Sequence, residues 1–161
     1  MVIRGIAYFQ IYGGILGLIA IMLSFADIKE NPLFLLGIGL YLYSILCGYL
    51  LIKGGKYKIV LSQINQSLQI MLFYVMGEGA YQYISGGYLA FGIDNTTEMK
   101  FRFLFGLLSE FELTIEDNYP INAVYINVLA VICFYLLGKY SEEEDLIDFI
   151  LANQGDIDLG D

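Results

Sequence analysis

Four long stretches without a charged residue constrain the fold of this chain more than any other feature of its sequence. They cover residues 5–26, 33–52, 59–77 and 121–138. A helix needs about 20 mostly apolar residues to cross the roughly 30 Å of hydrocarbon in a bilayer. We therefore predict an all-α polytopic membrane protein with four transmembrane helices.

The overall composition also favours lipid as the solvent. The chain has 161 residues, of which 58% are hydrophobic and 16% are charged. Soluble domains average about a quarter charged residues. The formal net charge of −9 leaves no basic surface to neutralise nucleic-acid phosphates. We expect the lipid bilayer as a partner, together with other membrane subunits or further copies of the chain, and no nucleic acid.

Basic residues near the ends of the stretches predict the orientation. Lys53, Lys56 and Lys58 cluster after the second stretch, and such clusters favour the cytoplasmic side. We expect a multi-pass protein of the plasma (inner) membrane with both termini in the cytoplasm. The predicted regions are helices 1–3 in residues 1–77, an extracytoplasmic loop in 78–120, helix 4 in 121–140 and an acidic cytoplasmic tail in 141–161.

The loop between the third and fourth stretches shows the alternation of half-buried strands. Polar and apolar side chains alternate over residues 100–105 and again over residues 110–116. We predict that these segments pair as a hairpin through residues 106–109, with the basic residues of one facing the acidic residues of the other. Residues 81–84 and 88–91 complete a small antiparallel sheet of three or four strands.

The third stretch contains an unusual run of polar side chains. On a helix, Ser62, Asn65, Gln66 and Gln69 fall within an arc of about 100°. Polar side chains at that depth need hydrogen-bond partners, and Gln10 in the first stretch is one candidate. These residues hold helices together, line a water-filled pore, or belong to a helix that starts outside the hydrocarbon and lies partly in the interface. The stripe covers only half of the stretch, which favours packing.

Glycines in the first stretch predict close helix contacts. Gly13 and Gly17 match the GxxxG pattern, which lets helix backbones approach each other. The pattern fits packing within one protomer and dimerisation equally well.

The sequence offers little for catalysis. It contains no His, the commonest general base and metal ligand. Cys47 and Cys133 lie within predicted spans, where no neighbouring cation favours the thiolate. An enzyme acting on lipid through Glu110 or Glu112 would lack a nucleophile–base pair. We predict no catalytic residue, no metal and no cofactor, and hence no enzyme.

Acidic residues are concentrated at the C-terminus. Residues 141–161 contain eight acidic residues and no basic one. The acidic group opens a helical pattern that continues with apolar side chains, and its candidate contact residues are Glu142, Glu143, Glu144, Asp145 and Phe149. An anionic inner leaflet would repel this segment, so we expect it to bind a basic partner surface.

These features together indicate interaction rather than chemistry. We expect a non-enzymatic integral membrane protein that acts as a subunit or accessory factor of a larger membrane assembly. Its outer sheet and acidic tail would be the contact surfaces. The alternative is a homo-oligomeric channel or pore-forming membrane effector lined by the polar stripe of helix 3.

Overall fold

Four helices and six strands make up the part of the chain that the computed structural model describes, namely residues 2–23, 33–95, 99–115 and 122–155. For residues 145 and 147–155 the description covers the backbone alone. The elements are α1 (Val2–Leu23), α2 (Phe34–Lys53), α3 (Lys58–Ser67), β1 (Met71–Val75), β2 (Gly79–Ile84), β3 (Tyr88–Asn95), β4 (Met99–Gly106), β5 (Glu110–Ile115), β6 (Asn122–Asn127) and α4 (Val128–Gly155).

The predicted four-span, all-α membrane fold is wrong. Among the described residues, α1 and α2 are the only helices long and apolar enough to cross a membrane, by length and composition alone. The third predicted span, residues 59–77, is helical only as far as Ser67 and then becomes β1. The fourth, residues 121–138, contains β6 and becomes helical at Val128.

The two missed strands resemble helical spans because both of their faces are apolar. In β1, Leu72 is buried while Met71 and Phe73 are exposed. In β6, Tyr125 is buried while Val124 is exposed. When apolar residues alternate with other apolar residues, periodicity cannot separate a strand from a buried helix.

Polar residues mark the points where helix changes to strand. Beyond α3, the chain turns at residues 68–70 before entering β1. After β6, Asn127 Oδ1 accepts the backbone N–H of Ala130 at 3.5 Å, in the position of a helix N-cap. The backbone N–H of Asn127 also donates to the Ile70 carbonyl at 2.7 Å. These contacts hold the start of α4 beside the turn that follows α3.

All paired strands are antiparallel, in the order β4-β3-β6-β1-β2-β5. The four segments predicted to be strands are present as β2 to β5. The predicted hairpin between β4 and β5 is wrong, because these strands lie at opposite edges of the sheet. Lys100 lies opposite Asp94 on β3, whereas Glu112 lies opposite Gln82 on β2.

The short connection between the two edge strands requires the sheet to curl. Gly106 ends β4 and Glu110 begins β5, so four Cα steps separate them by at most about 15 Å. The edges of a flat six-stranded sheet would lie about 24 Å apart. Curling buries a cluster made only of strand residues, including Leu72, Ile84 and Ala90. We call the face that carries this cluster the concave face, and the opposite face the convex face.

Glycines allow α1 to pack closely against both α2 and the sheet. A Cβ on Gly17 would lie 2.2 Å from the ring of Tyr41 on α2. A Cβ on Gly13 would lie 2.2 Å from the backbone nitrogen of Gly86, in the connection from β2 to β3. Gly86 itself has φ +99°, which other residues rarely adopt. The predicted GxxxG residues therefore make contacts within one chain.

The N-terminal half of α1 packs against helices, and its C-terminal half packs against the sheet. Ile6 and Ala7 share an apolar cluster with residues of α2, α3 and α4. Ile21 shares another with Tyr41 of α2 and Tyr83 of β2. The molecule thus has a helical end and a sheet end, both built on the hairpin of α1 and α2.

Replacing Gly13 with Ala should destabilise the protein. The added methyl group overlaps backbone atoms, and overpacking of this kind costs about 1–3 kcal/mol. Gly39 on α2 is the matched control, because its Cβ would meet no atom within 4 Å. Gly39→Ala should stabilise by up to about 1 kcal/mol, since Ala is the better helix former.

Thermal unfolding in a single detergent, followed by circular dichroism, compares the two glycine variants. We expect a lower melting temperature for Gly13→Ala and an equal or higher one for Gly39→Ala, relative to the parent chain. A Gly13→Ala protein as stable as the parent would contradict the contact between α1 and the β2–β3 connection.

Candidate functional site

The polar stripe predicted from the sequence lies inside the protein, where helices and sheet meet. Gln10, Ser62, Asn65, Gln66 and Gln69 are all 1% exposed or less. Sequence reasoning missed three other buried members of this group, which are Ser44, Tyr83 and Ser85. We call these eight side chains the polar junction.

Hydrogen bonds in the polar junction join three helices. The Ser44 hydroxyl on α2 donates to the backbone carbonyl of Gln10 on α1 at 3.0 Å. Asn65 on α3 donates from Nδ2 to Ser44 Oγ at 3.2 Å. Ser62, also on α3, donates to Gln10 Oε1 at 3.2 Å. Ser44 is therefore the point at which α1, α2 and α3 are connected.

A second set of bonds connects the helices to the end of β2. Ser85 Oγ lies 2.8 Å from Ser44 Oγ, and Ser85 is the donor because the Ser44 proton already goes to α1. Gln69 Oε1 accepts the backbone N–H of Ser85 at 2.8 Å. The Tyr83 hydroxyl donates to Asn65 Oδ1 at 2.9 Å. The turn after α3 and strand β2 are thus held in one network.

The geometry of the polar junction helps to distinguish helix packing from pore lining as the role of the polar stripe. Its side chains bond to one another and to backbone groups within a single chain, so they do not present a polar surface to the outside. Among the described residues, Gln10 Nε2 and Gln66 Nε2 are buried amide donors without a hydrogen-bond partner. An unpaired buried amide costs about 1–3 kcal/mol.

No residue pattern in the sequence identifies Ser44, Tyr83 or Ser85 as members of the junction. Ser44 and Tyr83 lie in otherwise apolar segments, and a single hydroxyl there is unremarkable. Their role depends on α2 and β2 lying side by side, as the 2.9 Å bond from Tyr83 to the Leu40 carbonyl shows. Pairing between distant elements of this kind leaves no trace in local spacing.

Charged groups of the strands face the concave side of the sheet. Asp94 is only 3% exposed and forms an ion pair with Arg102. Tyr125 donates to the same carboxylate at 3.4 Å. The other carboxylate oxygen of Asp94, Oδ1, is buried and has no hydrogen-bond partner among the described residues. This ion pair keeps the charge of β3 and β4 away from the convex face.

A second polar group on the concave face links β1, β2 and β5 and lies near β3. Gln82 on β2 donates to Glu110 on β5 and accepts a hydrogen bond from the Tyr74 hydroxyl on β1. Burial raises the pKa of Tyr88 on β3, and the neighbouring Glu110 carboxylate raises it further. Proximity of Tyr88 to Glu110 shows that β3 and β5 approach each other although they do not pair.

An acidic cleft opens between the hairpin of α1 and α2 and the edge strand β5. Its volume is about 380 Å³. Glu110 and Glu112 supply its carboxylates, Ile21 and Phe111 supply apolar walls, and the described residues that line it include no basic side chain. A cleft with this lining suits an organic cation that carries an aliphatic stem.

The acidic start of the predicted tail continues helix α4. Glu142 and Glu143 are exposed, whereas Glu144 forms an ion pair with Lys58 of α3 at 2.7 Å. A hydrogen bond to Glu144 raises the pKa of Tyr140, with burial as the second cause. The side chains of Asp145 and Phe149 lie outside the described residues, as do residues 156–161.

The part of the chain that the structure describes contains no group of three or more His, Cys, Asp or Glu side chains placed to hold a metal ion. Burial raises the pKa of Cys133 to about 11, which disfavours its reactive thiolate.

Comparisons with protein-family models, with curated proteins and with solved structures give no match. Function therefore has to be inferred from the geometry of the chain itself.

Removing the Tyr83 hydroxyl tests the polar junction. Tyr83→Phe leaves Asn65 Oδ1 without its donor in a buried site, which should lower the free energy of unfolding by about 1–3 kcal/mol. Tyr12→Phe is the matched control, because Tyr12 is 60% exposed on α1. That change should alter stability by less than about 0.5 kcal/mol.

Denaturant unfolding of the tyrosine variants in the same detergent gives the comparison. Equal stability of the Tyr83→Phe and Tyr12→Phe proteins would contradict a stabilising bond between β2 and α3.

Proposed function

We propose that this chain is a non-enzymatic integral membrane protein that acts as a subunit or accessory factor of a larger membrane assembly. The observation that carries the proposal is the inverted distribution of polarity. Met22, Leu35 and Leu42 on α1 and α2 are 76%, 61% and 53% exposed, whereas Gln10 and Ser44 on the same helices are fully buried. Water favours the opposite arrangement, and hydrocarbon favours this one.

Basic residues support the orientation expected from the sequence. Lys53, Lys56 and Lys58 lie at the helical end of the molecule, together with Arg4 near the start of α1. Under the rule that positive charge stays inside, this end faces the cytoplasm. The sheet end then lies towards the opposite side of the bilayer.

Two acidic sites support the role of a subunit. One is the cleft containing Glu110 and Glu112, and the other is the exposed Glu142 on α4. Each fits a basic group on a partner, either another subunit or a further copy of the chain. Within the cleft, the apolar walls would cover the aliphatic part of a Lys or Arg side chain.

The geometry does not favour the alternative of a channel lined by the polar stripe. The stripe residues are buried within one chain, and their hydrogen bonds hold α3 to α1, α2 and β2. Turning them towards a pore would break these bonds. We therefore propose a packing role for the stripe.

Neutralising the cleft tests the assembly proposal. We expect the double change Glu110→Gln and Glu112→Gln to remove the partner that co-purifies with the tagged parent chain in mild detergent. Loss of both charges removes the attraction for a basic side chain while the side-chain shapes are kept. Quantitative mass spectrometry of the purified complexes measures the loss.

Glu78→Gln is the matched control, because it removes an acidic charge from an exposed turn outside the cleft. This variant should retain the partner at the level of the parent chain. A partner that stays bound to the double variant would exclude the cleft as the contact site. A parent chain that purifies alone, as a monomer, would contradict the subunit role.

A further inference from the structure

The convex face of the sheet is a continuous apolar surface across neighbouring strands. Phe91 on β3 lies opposite Phe103 on β4 and opposite Ile126 on β6. In the next row, Val124 on β6 lies opposite Phe73 on β1. Exposed fractions are 52% for Phe91, 54% for Phe103 and 49% for Ile126. No helix covers these side chains in the described part of the chain.

This face of β4, β3, β6 and β1 carries no charged side chain. The charged residues of these strands are Asp94, Lys100 and Arg102, and the alternation of the strands places them on the concave face. Only Asn95 and Asn122, paired at one end of β3 and β6, bring side-chain amides near it. Its chemical character therefore matches an environment that makes no hydrogen bonds.

Contacts with the helical hairpin of α1 and α2 determine which part of these two helices the sheet lies beside. Ser109, which precedes β5, donates to the Gly13 carbonyl at 2.6 Å. The Tyr83 hydroxyl on β2 lies 2.9 Å from the Leu40 carbonyl oxygen and shares its one proton between that oxygen and Asn65 Oδ1. A Cβ on Gly37 would lie 2.7 Å from the ring of Phe111 on β5. The sheet thus lies beside the second half of α1 and the first half of α2.

We propose that the convex face of β4, β3, β6 and β1 is immersed in the hydrocarbon of the bilayer, with phospholipid acyl chains as its occupant. This inference rests on the membrane location proposed above. A sheet packed beside the same segments that would cross the bilayer lies at hydrocarbon depth. Its convex face is then continuous with the exposed apolar sides of α1 and α2, of which Leu42 is an example.

The composition of the face favours acyl chains over a protein partner. Protein interfaces combine an apolar centre with a polar rim and make about one hydrogen bond per 100–200 Å². Four neighbouring strands here offer an uncharged apolar surface instead. The concave face, by contrast, pairs Asp94 with Arg102 and Gln82 with Glu110, so these polar groups contact one another instead of lipid.

Quenching by brominated lipid tests the inference. Single cysteines replace Phe103 and Ile126 in a Cys47→Ser, Cys133→Ala background, and each carries an environment-sensitive fluorophore. A label at Leu42 reports on insertion of α2, and a label at Lys56 is the aqueous reference. Labelled proteins are reconstituted into phosphatidylcholine–phosphatidylglycerol vesicles, with or without bromine on the acyl chains.

We expect labels at Phe103 and Ile126 to lose emission to brominated lipid to the same extent as the label at Leu42. Aqueous iodide should quench only the label at Lys56. Circular dichroism and gel filtration of every labelled protein establish that it is folded before reconstitution.

The other outcomes overturn the inference in distinguishable ways. If Leu42 is quenched by lipid but Phe103 and Ile126 are quenched by iodide, the face is in water and the membrane location stands. If Phe103 and Ile126 resist both quenchers, a second copy or another protein covers the face. If no label responds to brominated lipid, the membrane location itself is wrong.

Discussion

The hydrogen bonds around Ser44 hold together elements that are far apart in the sequence. Ser44 connects α1 and α3 to α2, and through Ser85 it reaches the end of β2. A hydrogen bond in the buried interior is electrostatically stronger than the same hydrogen bond in water, and breaking it there is costly. The position of the sheet beside α1 and α2 depends on this network, and so does the acidic cleft between them.

The chemistry of the protein surface follows from the positions of the polar and charged side chains. Hydroxyl and amide groups lie in the polar junction, and the charges of β3 and β4 lie on the concave face. Apolar side chains cover much of the exterior of α1, α2 and the convex face. Among the described residues, exposed basic side chains include Lys53, and acidic side chains lie at Glu142 and in the cleft. This division supports both proposals, one for lipid and one for a basic partner.

Part of the fold could be predicted from local patterns. Alternation of polar and apolar residues identified the segments of β4 and β5, because one face of each differs in polarity from the other, and two shorter segments were predicted as the strands now seen as β2 and β3. Alternation did not identify β1 and β6, because these strands carry apolar side chains on both faces. The predicted strand order was wrong for another reason. Residues 106–109 were predicted to be a hairpin turn, but this segment joins two edge strands that approach each other only because the sheet curls.

By itself the sequence determined the apolar character of the chain, the two long helices and the set of polar residues that has to be buried together. Those properties depend on composition and spacing within one segment. Tertiary structure alone decided that Ser44, Tyr83 and Ser85 complete the polar junction. It also decided that Glu110 lines the cleft beside α1 and α2, whereas the sequence predicted that it would lie opposite the basic residues of β4. These relations depend on pairing between distant strands and helices, and local spacing carries no information about such pairing.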